Sequence, residues 1–172
     1  YGGATRQESV YSGLLELQKY NPTNVLIHDA ARPFVGDRII SESITCLKQY
    51  SAVDTGVFPN DTVKTTNFEI IDRSQLYLTQ TPQSFNYEYI LSLHKKSVGK
   101  NLTDDIGMAI ADHKEIGFVE GDVKNIKITT KADLKYGEFL MQQKSITKVG
   151  IGYDVHKFKK ESGETNIRIC GV

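Results

Sequence analysis

The sequence is poor in the features that mark several classes of protein. Its 172 residues include no tryptophan, four prolines and only two cysteines, Cys46 and Cys170. Two unclustered thiols exclude a disulfide-rich secreted scaffold and are typical of a reducing compartment, so we expect a cytoplasmic protein. The simplest interpretation is that both thiols are buried and inert, because a free cysteine packs as a small apolar side chain.

An excess of charge of one sign is also missing. The 21 basic and 21 acidic residues give a formal net charge of zero. Proteins that bind nucleic acid or an anionic membrane through a general basic field need excess positive charge, so neither partner is predicted. No apolar run approaches the ~20 residues of a membrane-spanning helix. Any anion-binding site must therefore be local.

Helical and strand patterns alternate along the chain, which is typical of an α/β fold. Residues 61–85 combine threonine, isoleucine and aromatic side chains with a polar Thr-Thr-Asn turn, so they are predicted to form a hairpin arm rather than a core element. Strands are predicted at "NVLIHD", "AVDTGVFP", "IGFVEG" and "NIKITT". Helices are predicted over residues 6–20, after a cap at Asp37, in "NYEYILSLHKKSVG", from Thr103, and after Thr130, where "TKAD" resembles a capping box.

The two ends of the chain suggest that it is a piece of a longer protein. It begins Tyr1-Gly2-Gly3 without an initiator methionine, and it ends on Gly171-Val172 inside a strand pattern. We expect one domain over residues 1–145. After the segment "KSITK", a truncated second domain is expected over 149–172.

The first candidate site is the stretch "VLIHDAARPF", in which an apolar strand ends at His28, Asp29 and Arg32. Ligands of open α/β sheets bind beyond the carboxyl ends of strands. The Asp29 carboxylate suits Mg²⁺, and the planar Arg32 guanidinium suits phosphate. A structural salt bridge between the two residues is the alternative that the pattern leaves open.

Four further patterns carry polar residues, and each has an ordinary structural explanation. The Gly pair before the first helix, with Ser9 in its first turns, is either a ligand contact or a simple turn. Thr103 in "LTDD" is also a plain N-cap candidate. Side chains of the arm and of "KNIKITT" are either site residues or solvated groups: Thr62, Lys64, Arg73, Thr81, Lys124 and Lys127.

The order and spacing of these patterns carry more information than any one of them. The series G-G-x-x-R-x-x-S-V-x-x-G-L, H-D-A-A-R-P, D-T-V-K, D-R-x-x-L-x-x-x-Q-T-P-Q-x-F, T-D-D and N-I-K-I-T-x-x-x-D-L resembles 2-C-methyl-D-erythritol 4-phosphate cytidylyltransferase. The resemblance covers about residues 1–143. It implies a Rossmann-like nucleotidyltransferase sheet with a protruding β-arm, through which two subunits form a dimer.

The resemblance also implies roles for individual residues. Gly3 and Ser9 would contact the cytidine of CTP, although Ala4 departs from relatives with an acidic residue there. Asp29 and Arg32 would lie at Mg²⁺, the phosphates and methylerythritol phosphate. The arm would carry Thr62 and Arg73 into the partner subunit's site, with Thr81 nearby, while Thr103 and Lys127 would complete the phosphate-binding side.

The implied reaction suits these residue types. A phosphate oxygen of methylerythritol phosphate attacks the α-phosphorus of CTP and pyrophosphate leaves. The protein must offset negative charge rather than supply a base, which is work for Lys, Arg and Mg²⁺. The Gly-rich loop with Arg and Lys that cradles the triphosphate in the family does not occur in this sequence. We therefore expect the 172-residue chain alone to bind CTP poorly and to turn over little or nothing.

A second resemblance concerns "GIGYDVHKF" and "IRICGV" near the C-terminus. Residues i and i+2 of a strand share a face, so Asp154 and His156 are placed side by side, as a zinc pair or as structural residues. The stretch resembles the opening of 2-C-methyl-D-erythritol 2,4-cyclodiphosphate synthase, a trimeric α+β enzyme that releases CMP, with Cys170 in place of a usual glycine. This resemblance implies that the second domain binds Zn²⁺ or another divalent metal, and that a cytidylyltransferase and a cyclodiphosphate synthase are joined in one bifunctional protein.

Three alternatives remain open at this point. The first is that the chain is a nucleotidyltransferase for another polyol phosphate. The second is that it is a non-catalytic dimerising remnant that kept its arm. A structural zinc module at the C-terminus is the third. It would need two more ligands, and the unassigned His94 and His113 lie in helical patterns without metal-like spacing.

Overall fold

The computed structural model describes residues 2–97 and 104–142. Six strands form two sheets. They are β1 (Asn24–Ile27), β2 (Ala52–Val57), β3 (Val63–Lys64), β4 (Ile70–Ile71), β5 (Leu78–Asn86) and β6 (Ile116–Glu120). The main sheet has the order β1-β5-β2-β6, and β3 pairs only with β4. β5 runs antiparallel to both of its neighbours, whereas β2 and β6 are parallel, so β1, β2 and β6 all point the same way.

In the part of the chain that the structure describes, five α-helices pack around the main sheet. They are α1 (Arg6–Leu17), α2 (Asp37–Cys46), α3 (Tyr87–Lys96), α4 (Ile106–Ala111) and α5 (Lys131–Gln142), with short 3-10 turns at Gln18–Tyr20 and Arg73–Gln75. α1 begins where Thr5 Oγ1 accepts a hydrogen bond from the Glu8 amide at 3.1 Å. The described helices have neither the length nor the apolarity that crossing a bilayer requires.

The core is divided between the two faces of the main sheet. Ala52 and Val53 are adjacent in β2 and fully buried, so their side chains point to opposite faces. Ala52 belongs to a cluster with residues of α1, α3 and α4, whereas Val53 packs with residues of α2 and β6. Helices on both faces of one sheet make an α/β fold, as the alternating pattern predicts.

The expected hairpin arm is right only in part. β3 and β4 form a two-stranded ribbon, but β5 is a central strand of the main sheet and lies buried from Gln80 to Phe85. Most polar side chains of β5 are hydrogen-bonded inside the protein. Thr81 Oγ1 accepts from the Asp29 amide at 3.0 Å, and Gln83 is bonded to the residues before α4.

Three smaller expectations are corrected. Asp37 is the first residue of α2 rather than its cap, and Gly36 caps the helix without a side-chain bond. "NIKITT" is not a strand, because the backbone there runs as a loop held to other loops. α4 begins at Ile106, after Asp105, rather than at Thr103.

The predicted capping box of the last helix is confirmed. The Asp133 carboxylate accepts from the Thr130 amide at 2.7 Å, and Thr130 Oγ1 accepts from the Asp133 amide at 3.2 Å. The expectations for the second domain, including Cys170, fall on residues outside the described ranges.

Candidate active site

The loop after β1 is fixed by hydrogen bonds to β5. The Asp29 amide donates to Thr81 Oγ1 at 3.0 Å, and the same hydroxyl lies 3.0 Å from His28 Nδ1. The other ring nitrogen of His28 lies 2.9 Å from the Arg32 carbonyl oxygen. The exposed His28 ring therefore bridges β5 and the Arg32 backbone across the turn, and the partly buried Asp29 and Arg32 side chains line a cleft at the end of the strand.

Asn125 holds the loop after β6 against the same part of β5. Its fully buried amide Nδ2 donates to the Thr81 carbonyl oxygen at 2.9 Å and to Gln80 Oε1 at 3.2 Å. Its own carbonyl oxygen accepts from Arg32 Nη1 at 2.8 Å. The Ile128 amide then donates to the Ala31 carbonyl oxygen at 2.8 Å. These bonds carry Lys127 to the Asp29 carboxylate.

The two loops form one wall of a cleft of about 190 Å³. Lys127 Nζ lies 2.8 Å from Asp29 Oδ2, and Arg32 Nε lies 3.9 Å from the same oxygen. Three cations and two carboxylates thus share a small volume. The lining residues are Arg6, Asp29, Arg32, Thr79, Gln80, Thr81, Gln83, Asp104 and Lys127.

The cleft keeps Asp29 ionised. Partial burial by itself raises the pKa of the Asp29 carboxyl. The hydrogen bond from Lys127 and the positive charges of Lys127, Arg6 and Arg32 outweigh this effect and hold the pKa below its ordinary value of 3.8. Asp29 is therefore an anion surrounded by cations at neutral pH, and the cleft as a whole attracts a second anion.

Gly3 and Ser9 lie at the start of α1 and do not line this cleft. The Gly3 amide donates to Ser9 Oγ at 3.0 Å, and that hydroxyl donates to the Thr5 carbonyl oxygen at 2.9 Å. A Cβ at Gly3 would collide with the Glu8 side chain, so glycine is needed where the chain folds back over the helix start. The two residues therefore contact each other at the turn into α1.

Thr62 and Arg73 lie on the arm and do not line the cleft of their own chain. Arg73 donates to the Asn60 carbonyl oxygen across the base of the arm. A shallow depression of about 420 Å³ beside it is lined by Phe58, Pro59, Asn60, Asp72, Arg73 and Ser74. Thr103, Asp154 and His156 fall outside the described residues.

The sequence pattern of the family described as "IspD: 2-C-methyl-D-erythritol 4-phosphate cytidylyltransferase" matches residues 1–143. The chain belongs to this family. A cytidylyltransferase of Clostridium botulinum strain Langeland is 44% identical, over 83% of this chain and 65% of its own length. The solved cytidylyltransferase of Thermus thermophilus has a TM-score of 0.75 and 29% identity, over 82% of this chain and 71% of that one.

Bifunctional relatives match as well. The "Bifunctional enzyme IspD/IspF" of Wolbachia pipientis wMel is 39% identical over the whole of this chain, which spans 45% of that relative. The solved bifunctional IspDF of Campylobacter jejuni has a TM-score of 0.66 and 29% identity, over 78% of this chain and 35% of that one. This member of the family therefore spans less than half the length of the bifunctional relatives named.

Sequence reasoning assigned no role to several residues that build the cleft. Arg6 and Asn125 stand inside the quoted motifs, in G-G-x-x-R and N-I-K, so the motif series held a signal for them. Gln83 closes Q-T-P-Q, but it was placed in the predicted hairpin arm and given no role of its own. Asp104 lies in T-D-D, and its bond to Gln83 at 2.9 Å is visible only in the fold.

The described residues contain no group of three His, Cys, Asp or Glu side chains that would hold a metal ion alone. Mg²⁺ does not need one, because it is bound through one or two carboxylates together with substrate phosphates. Asp104 has both carboxylate oxygens occupied, by Gln83 and by the Gly107 amide. Asp29, ionised and facing the cleft, is the carboxylate that fits this kind of site.

Proposed function

We propose that this chain serves the transfer of a cytidylyl group from CTP to 2-C-methyl-D-erythritol 4-phosphate, with release of pyrophosphate, in non-mevalonate isoprenoid precursor biosynthesis. The observation that supports this most is the Asp29–Lys127 pair at 2.8 Å with Arg32 beside it. The arrangement suits the meeting of two anionic substrates. Family membership over residues 1–143 supports the same activity.

In the proposed reaction, a phosphate oxygen of methylerythritol phosphate forms a bond to the α-phosphorus of CTP. The bond between the α-phosphorus and the bridging oxygen to the β-phosphate breaks, and pyrophosphate takes the electron pair. The nucleophile is already an anion near neutral pH, so no general base is required. Lys127 and Arg32 offset the charge that accumulates in the transition state. Asp29 keeps Lys127 in place.

Enzymes of this family are generally dependent on a divalent metal. In this chain Asp29 would hold Mg²⁺ together with substrate phosphates, and the ion would supply further positive charge at the reacting phosphate. The bond from the Asp29 amide to Thr81 Oγ1 keeps the carboxylate directed into the cleft. This gives Thr81 a positioning role in the proposal.

The remaining assignments follow the family resemblance. Gly3 and Ser9 would contact the cytidine, and Thr103 would bind phosphate. Thr62 and Arg73 would reach the cleft of a second subunit, because neither lines the cleft of its own chain. The proposal therefore includes a homodimer in which the arms exchange contacts.

We further propose a second domain from residue 149 onward, the beginning of a cyclodiphosphate synthase, after a cytidylyltransferase domain over residues 1–145. The Wolbachia bifunctional relative aligns over the whole of this chain, whereas the monofunctional Clostridium relative covers 83% of it. Asp154 and His156 would be ligands of Zn²⁺ or another divalent metal in that domain, and the complete domain would form a trimer.

The experiment is a pyrophosphate-release assay on the complete gene product that contains this chain, with CTP, Mg²⁺ and either methylerythritol phosphate or ribitol 5-phosphate. We expect release with methylerythritol phosphate, and about a 100-fold loss in Lys127→Met, because a preorganised charge at the reacting phosphate is removed. Preference for ribitol 5-phosphate would indicate a nucleotidyltransferase for another polyol phosphate. Dimerisation without turnover of either substrate would indicate a non-catalytic remnant.

A further inference from the structure

Arg6 is a cation of the cleft that has few contacts with the protein. It is the first residue of α1 and lines the cleft together with Asp29. Within residues 2–97 and 104–142, its guanidinium pairs with one group, through Nη2, which lies 2.7 Å from Asp105 Oδ2. A guanidinium carries five N–H donors. Most of the donor capacity of Arg6 is therefore available to a ligand.

The other two cations of the cleft also have partners. Lys127 Nζ is 2.8 Å from Asp29, and Arg32 Nη1 donates to the Asn125 carbonyl oxygen. The Arg32 side chain is 14% exposed and that of Arg6 is 39% exposed. Of the two planar guanidinium groups, the Arg6 group is the more accessible to an incoming phosphate.

Asp105 is built to hold Arg6 in that orientation. Its side chain is 1% exposed, and its Oδ1 lies 3.0 Å from Nε2 of His94, which is equally buried. The Asp105 amide donates to Gln83 Oε1 at 3.1 Å, which fixes the residue against β5. The His94 ring stacks on Tyr11 of α1 with an interplanar angle of 2°. The Asp105 carboxylate is thus held from both sides.

Such a buried carboxylate is a costly feature for a protein that needs only a well-packed core. Paired buried charges seldom stabilise a fold more than apolar side chains of similar size would. Such a pair is explained when the group at its exposed end has work to do. Here the buried end is Asp105 with His94, and the exposed end is the guanidinium of Arg6, which opens into the cleft.

We infer that Arg6 binds a phosphate oxygen of the substrates in the cleft, and that Asp105, held by His94, positions it. Arg6 is then a catalytic residue that touches substrate, and Asp105 is a positioning residue that acts through it. The inference rests on the proposed function, because the phosphate it concerns is the one that reacts in the cytidylyl transfer. Its geometry matches the planar fork with which arginine binds phosphate oxygens.

The first test is a double-mutant cycle in the complete gene product with Arg6→Gln, Asp105→Asn and both changes together. We expect kcat to fall about 100-fold in Arg6→Gln, as for loss of one preorganised transition-state donor. Asp105→Asn should cost about 10-fold to 100-fold, as for a misplaced group. The double variant should lose no more than Arg6→Gln alone, because Asp105 acts through Arg6. Losses that multiply would overturn the positioning role.

Chemical rescue separates a catalytic guanidinium from a structural one. Adding methylguanidine to an Arg6→Gly variant should raise the kcat of that variant at least tenfold and leave its melting temperature unchanged. The matched control is Arg38→Gln. Like Arg6, Arg38 is ion-paired to a carboxylate, in this case Glu42 of its own helix at 2.7 Å. Arg38 lies outside the cleft. We expect Arg38→Gln to keep its kcat. A failure of rescue would contradict the substrate contact.

A binding measurement keeps the inference separate from the proposed reaction. Inorganic pyrophosphate is titrated into the wild-type protein and into Arg6→Lys, Arg6→Gln and Arg38→Gln by calorimetry. We expect at least tenfold weaker binding in Arg6→Gln, an intermediate loss in Arg6→Lys, and no change in Arg38→Gln. An inactive wild type with this binding pattern would refute the proposed function alone. Equal binding by wild type and Arg6→Gln would refute the role of Arg6 alone.

Discussion

Asp29 and Lys127 meet at 2.8 Å, although one follows β1 and the other lies in the loop after β6. β5 and β2 stand between these two strands in the main sheet. The pair forms because Thr81 and Asn125 bind the two loops to the buried middle of β5. The geometry of the cleft is therefore decided by a strand that contributes none of its charges.

The first prediction concerns the ionisation of Asp29. Replacing Lys127 by methionine should raise the pKa of the Asp29 carboxyl, because burial is then no longer opposed by its nearest cation. A lowered carboxyl pKa contributes stability above the unfolded value of 3.8, and that contribution is lost as the pH falls through the folded pKa. The variant should lose this acid-sensitive contribution. The measurement is a carbon-13 NMR titration of the Asp29 side chain.

The control for that titration is Lys124→Met. Lys124 lies in the same loop and is exposed, and its backbone amide donates to Asp122 Oδ1 at 2.8 Å. We expect the pKa of Asp29 to stay where it is in this variant. Equal shifts in the two variants would mean that the general charge of the loop, rather than the Lys127 contact, holds Asp29 ionised.

The second prediction concerns Asn125, which joins the two loops. Asn125→Ala should lower the free energy of unfolding by about 1–3 kcal/mol, because the buried Thr81 carbonyl oxygen loses the donor that Asn125 supplies and Gln80 Oε1 keeps only the Asp122 amide among the described residues. Urea unfolding at neutral pH measures this. Asn67→Ala, in an exposed turn of the arm, is the matched control and should change little. Similar losses in both variants would remove the special role of Asn125.

The third prediction contrasts two glycines. A Cβ at Gly117 would lie 2.5 Å from Cys46 Sγ and 2.8 Å from the Tyr50 ring, so Gly117→Ala should destabilise the fold by about 1–3 kcal/mol. A Cβ at Gly13, inside α1, would meet nothing within 4 Å. Gly13→Ala should therefore stabilise the protein by about 0.5–1 kcal/mol.

Thermal or urea unfolding of the two variants checks these opposite signs. Combining Gly117→Ala with Cys46→Ala removes the nearest clashing atom and should recover part of the loss. A stable Gly117→Ala protein would show that α2 shifts away from β6 at little cost.

The fourth prediction concerns the start of α5. Hydrogen bonds from the Thr129 and Thr130 amides and hydroxyls lower the pKa of the Asp133 carboxyl to about 2. Because the unfolded value is 3.8, the stabilisation by Asp133 is complete above that pH and is lost between about 4 and about 2. Asp133→Asn should lower the melting temperature at pH 7, and the difference should vanish near pH 2. A difference independent of pH would contradict this.

Two charged residues of the cleft, Asp29 and Arg32, were predictable because they follow an apolar run that was predicted to be a strand. Lys127 was predictable only from its motif, since an isolated lysine in a loop resembles any solvated charge. Arg6 and Gln83 had no assigned role. Their significance depends on partners, Asp105 and Asp104, that are distant in sequence and adjacent only in the fold.

The error at β5 has a definite physical cause. Residues 61–85 were interpreted as one arm because they combine threonine, isoleucine and aromatic side chains with a polar turn. The polar middle of β5, with threonine, glutamine and serine, gave no sign of a core strand. β5 lies instead between β1 and β2, where its polar side chains and backbone bind Thr55, Asp54 and Asn125. A buried strand tolerates this composition when its polar groups are hydrogen-bonded.

By itself the sequence determined the α/β class, the positions of most helices and strands, the family, and the loop in which Asp29 and Arg32 lie. These depend on local patterns: periodic apolar residues, caps, and motifs of fixed spacing. Only the tertiary structure decided that β5 occupies the middle of the sheet, that Asn125 joins two loops, and that a buried Asp105 directs Arg6 into the cleft. Those features depend on contacts between distant segments, and no local pattern specifies them.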